Sequence, residues 1–185
     1  MSSNLYLTAE ALAAGLPAIH RSPRDEGRLE GIVIRPVSNA RLSLDSCALS
    51  AAGGVEGDYW AKGCWKTLDD GRPHPDVQVS LINIHAVELL AAGRERCPLA
   101  GDNLLVDFDL SRDSLRTGQR LAIGSSVIEI TEQLHTGCGK FAERFGRDAL
   151  AFVNSELGMA LRLRGVYAKV ITDGVVRVGD AVCRV

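Results

Sequence analysis

The alternation of apolar and polar side chains along the chain predicts a protein built mostly from short β-strands. β-branched residues are concentrated in these segments, as is typical of strands that pack on a core. The predicted strands cover residues 29–37, 41–50, 77–84, 103–110, 121–123, 127–131, 159–164, 166–172, 175–178 and 181–185. The Asp173-Gly174 dipeptide lies between two β-branched runs, so we expect it to form the turn of a β-hairpin.

Three other segments carry helical signals. Residues 8–15 have Thr8 as a candidate N-cap and a glycine at their end. Residues 85–93 follow an apolar strand directly, and residues 140–155 have phenylalanine, leucine and valine at helical spacing. We expect the last of these helices to be interrupted at Gly146.

Length and composition agree with one globular domain. A chain of 185 residues can bury a sizeable core, and 46% hydrophobic with 24% charged residues is ordinary for such a domain. Many short strands with a few helices predict a mostly β fold with α insertions, a β-barrel-like single domain. We expect residues 1–28 to form an N-terminal helix and connecting segment, and residues 29–185 to form the barrel.

Charge and cysteine content narrow the classes of function. A net charge of −2 with scattered basic residues excludes a nucleic-acid-binding patch. Residues 1–20 have no basic start and several polar interruptions, so we expect neither a signal peptide nor a membrane span. The five cysteines contain no Cys-x-x-Cys pair, which argues against a disulfide scaffold and a structural zinc site. We therefore expect a cytoplasmic protein with reduced thiols and no metal site.

Cys138 is the strongest candidate for chemistry. Gly137 and Gly139 flank it, so neighbouring side chains do not wall in its thiol, and a predicted helix begins just after it. Lys140 follows two positions later and His135 precedes it by three. A nearby positive charge lowers the pKa of a thiol, and a histidine can act as its base. The competing interpretation is a glycine-rich turn that contains a buried structural cysteine.

A polar segment, residues 53–76, is a candidate ligand-binding loop. It is long for a loop inside a compact domain and contains both tryptophans of the chain. Tryptophan stacks on planar groups and basic side chains pair with phosphate, so we expect a planar, anionic ligand. The predicted strand 159–164 places two further candidates, Arg162 and Arg164, on the same strand face, where they line a cavity or face water. The candidate ligand-binding residues are Asp58, Trp60, Lys62, His74, Arg162 and Arg164.

Several short segments form an ordered pattern along the chain. They are Gly54-Val55-Glu56-Gly57-Asp58, the run 100–106 that begins Ala-Gly-Asp-Asn, Thr136-Gly137-Cys138 with Lys140, the run 164–170, and the closing run 178–182. In this order they resemble the MOSC domain, which is named from the C-terminal part of molybdenum cofactor sulfurases. The match runs from about residue 29 to the end of the chain.

The resemblance implies a β-barrel-like fold with a cysteine that carries sulfur or meets the molybdopterin cofactor. By this resemblance Cys138 is the reactive thiol, and Asp58 with its loop forms part of the ligand pocket. Tyr59-Trp60 departs from the family, where many members have a basic residue and a histidine. Because the chain carries no aminotransferase-like part, we expect a cysteine desulfurase or a molybdenum enzyme as a partner. The alternative is a module that binds the molybdenum cofactor or another small ligand without catalysis, so whether the protein is an enzyme stays open.

Overall fold

The computed structural model describes residues 6–185, and its secondary structure is mostly β. Its strands are β1 (Glu26–Ile34), β2 (Leu42–Leu44), β3 (Ser46–Ser50), β4 (Gly54–Val55), β5 (Val79–Asn83), β6 (Leu104–Asp107), β7 (Arg120–Ile123), β8 (Ser126–Ile130), β9 (Val166–Thr172), β10 (Gly174–Arg177) and β11 (Ala181–Arg184). Its α-helices are α1 (Ala9–Ala14), α2 (Leu16–Ile19), α3 (Trp60–Gly63), α4 (Ile84–Ala91), α5 (Gly139–Phe145), α6 (Arg147–Asn154) and α7 (Glu156–Leu161). Two 3₁₀ segments, Pro75–Val77 and Arg94–Ala100, connect them.

Seven of the strands close into a barrel. The order around the barrel is β1, β6, β5, β9, β8, β7 and β11, and β11 pairs with β1 to close it. All of these pairings are antiparallel except that of β5 with β6, which is parallel. The chain between these two strands contains α4. β2 extends the barrel beside β1, and β10, β3 and β4 form a small separate sheet. The predicted mostly β, barrel-like fold is confirmed.

Two hydrophobic clusters hold this architecture together. One fills the barrel, and the other lies between the barrel and the helices that cover it. β5 contributes Leu81 to the first and Ile82 to the second, so this strand is buried on both faces. Leu12 of α1 and Ile19 of α2 also pack into the second cluster, which attaches the N-terminal helices to the barrel. The division of the chain after residue 28 stays a prediction.

The predicted helices agree with the structure. Thr8 caps α1, its side-chain oxygen accepting a hydrogen bond from the Ala11 amide. The predicted helix 140–155 is observed as α5 and α6 with the break at Gly146, whose φ of 93° favours glycine over other residues. No helix within residues 6–185 is long and apolar enough to span a membrane.

The predicted strand at residues 159–164 is wrong. Residues 156–161 form α7, whose N-cap Ser155 accepts a hydrogen bond from the Gly158 amide. The chain then turns at Arg162, which adopts a left-handed conformation with φ of 51°. The alternating leucines and arginines imitate a strand, but the capping serine and its helical hydrogen bonds decide the structure.

The predicted hairpin at Asp173-Gly174 is also wrong. β9 pairs with β5 and β8 in the barrel, whereas β10 pairs with β3 in the small sheet. The Asp173 carboxylate accepts a hydrogen bond of 2.8 Å from the Ala51 amide, which ties the connection to the β3–β4 turn. A Cβ at Gly174 would lie 2.4 Å from the Ser125 backbone, so the glycine permits a close approach between segments rather than a hairpin turn.

Candidate functional site

A cavity of about 570 Å³ opens beside one end of the barrel. Its wall comes from segments that are far apart in sequence. These are the chain after β1, α3 with the residues flanking it, the turn before β6, the residues before and within α5, and the start of β9. Its volume falls in the range of ordinary small-molecule sites.

Five cationic side chains line this cavity, and no described aspartate or glutamate does. The five are Arg35, Arg41, Lys140, Arg144 and Arg164. A cleft lined by charges of one sign concentrates its field, so this cavity attracts anions. The near-neutral charge of the whole chain conceals this local excess of positive charge.

Asp58 holds Arg35 in place from behind the cavity. Its side chain is 1% exposed and accepts two hydrogen bonds from the Arg35 guanidinium, at 3.0 and 2.8 Å. It also accepts one from the Arg35 amide, at 2.7 Å, and one from the Trp60 amide, at 3.1 Å. Asp58, predicted to contact ligand, therefore does not line the cavity and instead positions two residues that do.

Arg164 is held by a second buried carboxylate. Its Nη1 donates to Asp102 Oδ2 at 2.6 Å, its Nη2 donates to the Ala100 carbonyl at 3.3 Å, and its guanidinium lies 5.3 Å from the centre of the Phe141 ring. Asp102 is 1% exposed. Burial raises the pKa of this carboxyl, and the charge of Arg164 opposes the increase. Arg164 thus lines the cavity, and its contacts with Asp102 and Ala100 fix its orientation.

The other three cations have no acidic partner among the described residues. Arg41 donates from Nη1 to the Ala40 carbonyl at 2.6 Å, and its buried Nε has no partner. Burial first, and then the nearby Arg144 and Arg35, lower the pKa of Arg41. Arg144 donates from Nη1 to the Leu99 carbonyl, and Lys140 also lines the cavity. Their charges are therefore available to a ligand.

Cys138 lines the cavity and is exposed. It occupies the N-cap position of α5, as the predicted helix start requires. The preceding residue is clamped by Asn154, which accepts from the Gly137 amide at 2.8 Å and donates to the Gly137 carbonyl at 3.1 Å. The thiol is thus accessible from the cavity on a backbone that α6 holds in place.

His135 lines the same cavity from a buried position. Its ring stacks on Tyr167 with a centroid distance of 4.2 Å, and its side chain is 8% exposed. Burial, followed by the charges of Arg164 and Arg35, lowers the pKa of His135 well below 6.5. The imidazole is therefore neutral at pH 7, so among the sequence candidates the positive charge near Cys138 comes from Lys140.

Of the two tryptophans in the loop, Trp60 is buried against the cavity and Trp65 is exposed at its mouth. Trp65 is 67% exposed. With the exposed Val37, Tyr59 and Leu134 it forms what we call the apolar rim. Trp60 and Trp65 of this loop therefore lie at the cavity, and ligand binding by the loop stays a prediction.

Besides Asp58, three further predicted site residues lie away from the cavity lining. Lys62 is exposed on α3, and His74 caps a 3₁₀ turn by accepting from the Asp76 amide at 3.2 Å. Arg162 donates to the Leu115 carbonyl at 2.6 Å and borders a separate small hollow. Because residues 156–161 are helical and the chain turns at Arg162, Arg162 and Arg164 do not share a strand face.

The structure adds residues that sequence reasoning missed. Arg35, Arg41 and Arg144 were not distinguishable from solvated surface charges, and Asp102 was noted only as part of a family segment. Cys64 also lines the cavity. No local signal in the sequence marks these residues, because only the closure of the barrel brings them together.

Comparison with known proteins agrees with this fold. The family model of the MOSC domain matches residues 71–183. The chain belongs to the MOSC domain family. A search of the curated proteins finds no match.

Several solved structures superpose on most of the chain. The YuaD protein from Bacillus subtilis is 21% identical, with a TM-score of 0.59 over 85% of this chain and 94% of that one. YiiM from Escherichia coli is 19% identical, with a TM-score of 0.55 over 85% and 69%. YiiM from Geobacillus stearothermophilus is 14% identical, with a TM-score of 0.57 over 86% and 75%. At these identities the likeness shows the shared fold.

Proposed function

We propose that this MOSC protein binds a planar, anionic small molecule in the cationic cavity, and that Cys138 either acts on this ligand or serves as a carrier of sulfur. The observation that carries the proposal is an exposed cysteine in a cavity lined by five cations and no described carboxylate. A pocket built for phosphate or carboxylate groups has this charge pattern.

The aromatic residues support a planar ligand. Trp60, Phe141 and Tyr167 line the cavity together with the cations. Aromatic side chains stack on flat ring systems, and arginine forks match phosphate oxygens. A ligand with a ring at one end and an anionic group at the other satisfies both sets.

Molybdopterin has this chemistry, and the residues present fit it. Arg41, Lys140 and Arg144 would hold its phosphate, the aromatic residues would face its pterin, and the Cys138 thiol is a donor suited to a soft metal. The orphaned Nε of Arg41 is a buried donor that such a ligand would satisfy. When bound, the cofactor would supply a molybdenum centre for redox or sulfur chemistry.

The sulfur-transfer step needs only a thiolate and a persulfide donor. The Cys138 thiolate attacks the outer sulfur of the donor's persulfide, so a new S–S bond forms as the donor's S–S bond breaks. The donor leaves as its thiolate, and Cys138 then carries the persulfide. A cysteine desulfurase is the class of partner that presents such a donor.

A second candidate is a binding module that presents a ligand to a partner enzyme, such as a molybdenum enzyme, without catalysis. The apolar rim favours it, because Val37, Trp65 and Leu134 are 59%, 67% and 57% exposed around one opening. Exposed apolar clusters with a polar surround mark interaction sites. This candidate requires the cavity and the rim but not the thiol.

Treatment with inorganic polysulfide, followed by intact-protein mass spectrometry, tests the sulfur step. We expect one added sulfur on the wild type, mapped to Cys138 by peptide analysis, and none at that position in Cys138→Ala. Cys183→Ala is the matched control, because Cys183 is only partly exposed and lies outside the cavity. A wild-type protein whose Cys138 remains unmodified would remove sulfur transfer from the proposal.

Thermal stabilisation by a phosphorylated pterin tests the binding step. We expect a rise in Tm for the wild type that falls when the salt concentration is raised. If Cys138→Ala keeps the rise and cannot be persulfidated, the thiol acts after binding. If a phosphorylated pterin gives no rise in any variant, the planar anionic ligand is wrong.

A further inference from the structure

Asp102, behind the cavity wall, and His135, which lines the cavity, form a buried pair. Asp102 lies in the turn before β6, and His135 lies in the segment before α5. Their side chains are 0% and 8% exposed. Asp102 Oδ1 lies 3.5 Å from His135 Nδ1.

Both facing atoms lack a hydrogen-bond partner. Neither Asp102 Oδ1 nor His135 Nδ1 has one among the described residues, although each is buried. The other carboxylate oxygen of Asp102 is already engaged by Arg164. Buried polar groups without partners are rare, so the two facing atoms are expected to satisfy each other after a small adjustment.

We propose that Asp102 is a positioning residue that keeps the proton of the neutral His135 ring on Nδ1 and leaves Nε2 as a proton acceptor for the cavity. The catalytic part of this inference rests on the proposed function. The tautomer itself is a property of the protein alone.

Electrostatics favours this tautomer. The Arg164 guanidinium stabilises Asp102 as a carboxylate, which can accept a hydrogen bond but cannot donate one. If the proton were on Nε2, lone pairs of Nδ1 and Oδ1 would face each other in a buried site. A proton on Nδ1 replaces that repulsion with a hydrogen bond.

The surroundings of His135 also hold its ring in one orientation. One face stacks on Tyr167, and the Nδ1 edge is directed at Asp102. Because His135 lines the cavity, the Nε2 edge is the polar edge left to meet a ligand. The charged and titratable groups acting on the ring are Asp102, Arg164, Arg35 and Tyr167.

The role this gives His135 is to accept a proton at Nε2. A proton leaving the Cys138 thiol or a bound ligand would move to Nε2 and produce an imidazolium, whose Nδ1–H remains bonded to the Asp102 carboxylate. The proton then returns to the leaving group when the reaction is complete. Carboxylates that support a histidine in this way set its tautomer and its ring orientation.

Two-bond ¹H–¹⁵N correlation spectra of histidine-labelled protein test the inference directly at pH 7. The His135 signals are assigned by their loss in His135→Phe. We expect the wild type to show a protonated Nδ1 and an unprotonated Nε2. A proton on Nε2 in the wild type would overturn the proposal, and this result requires no variant at Asp102.

Asp102→Asn adds a second readout. An asparagine amide can donate to Nδ1, so we expect the proton of His135 to move to Nε2. Asp58→Asn is the matched control, because it removes the other buried carboxylate behind the cavity without touching His135, and the tautomer should stay unchanged. If the folded Asp102→Asn protein keeps the wild-type tautomer, Asp102 does not position His135.

The same spectra separate this inference from the proposed function. They are recorded without ligand or sulfur donor, so a protein that takes up no sulfur can still show the expected tautomer. Conversely, normal sulfur uptake with a proton on Nε2 leaves the proposed function standing and removes this inference.

Discussion

Asp58 accepts both of the hydrogen bonds that orient the Arg35 guanidinium, Nε to Oδ1 at 3.0 Å and Nη2 to Oδ2 at 2.8 Å. The two residues lie 23 positions apart, in the chain after β1 and in the loop before α3. The same carboxylate also binds the Asn103 side chain at 3.2 Å. One buried aspartate therefore ties three segments of the cavity wall together.

Asp58→Ala should destabilise the protein severely. Removing one partner of a buried pair leaves the other charge and several donors unsatisfied, which costs about 3–5 kcal/mol. Urea denaturation measures the loss in the free energy of unfolding. Asp70→Ala is the control, because its bond to Arg72 lies on the surface, where we expect a change below about 1 kcal/mol. Equal losses in both variants would contradict this account of Asp58.

Arg144→Ala should weaken the binding of a phosphorylated pterin about tenfold or more, because a charge-assisted hydrogen bond is lost. Lys62→Ala, from the loop predicted to bind ligand, should leave affinity unchanged because Lys62 does not line the cavity. Titration by calorimetry at low and high salt measures both. A loss with Lys62→Ala alone would favour the sequence prediction over the placement seen in the structure.

The two glycines beside Cys138 should respond in opposite ways to alanine. A Cβ at Gly137 would lie 2.7 Å from Leu150, so Gly137→Ala should cost about 1–3 kcal/mol and displace the thiol. Gly139 meets nothing within 4 Å and begins α5, so Gly139→Ala should be neutral or stabilise by about 0.5–1 kcal/mol. Thermal unfolding and the rate of Cys138 alkylation give the two readouts. Similar effects of both substitutions would show that Leu150 moves aside.

His135 should make the protein less stable as the pH falls below 6.5. Its folded pKa is lowered well below that ordinary value, so the unfolded chain takes up a proton that the folded protein refuses. The loss approaches about 1.4 kcal/mol per pH unit in the window between the lowered pKa and 6.5. Denaturation of the wild type and His135→Phe between pH 5 and 8 measures it as a difference.

The contribution of Asp102 to the pH dependence of stability has the opposite sign to that of His135, so it requires its own control. The pKa of Asp102 in the folded protein is raised above its ordinary value of 3.8. Between 3.8 and the raised pKa, the folded protein binds a proton that the unfolded chain does not, so it gains stability as the pH falls. Repeating the pH series on Asp102→Asn isolates the contribution of His135. In the Asp102→Asn protein, the free energy of unfolding is compared with and without His135→Phe. If that difference does not depend on pH, His135 is not buried as a neutral ring.

Much of the fold follows from local pattern. The strand at β5, the helix start after Cys138 and the break at Gly146 each depend on residues within a few positions of one another. The wrong predictions concern segments whose local sequence pattern is compatible with two different structures. Leu161 to Arg164 alternates like a strand, yet the Ser155 cap makes the preceding residues helical. Asp173-Gly174 resembles a hairpin turn, yet β10 finds its partner in β3.

The candidate site divides in the same way. Cys138, His135 and Lys140 were singled out from their spacing in one segment, Trp60 from the composition of its loop, and Arg164 from a predicted strand that is wrong. All five line one cavity. For Asp58 the sequence marked an important position but not its role. Whether a carboxylate meets a ligand or an arginine depends on burial, and burial is set by contacts between distant segments.

The sequence by itself determined the β-rich architecture, the family and the cysteine at a helix start, because periodicity, caps and short motifs are local. Only the tertiary structure decided the electrostatics. Barrel closure brings five cations from residues 35 to 164 around one cavity and buries Asp58 and Asp102 behind two of them. Charge interactions depend on distance and burial in space, which residue order along the chain does not specify.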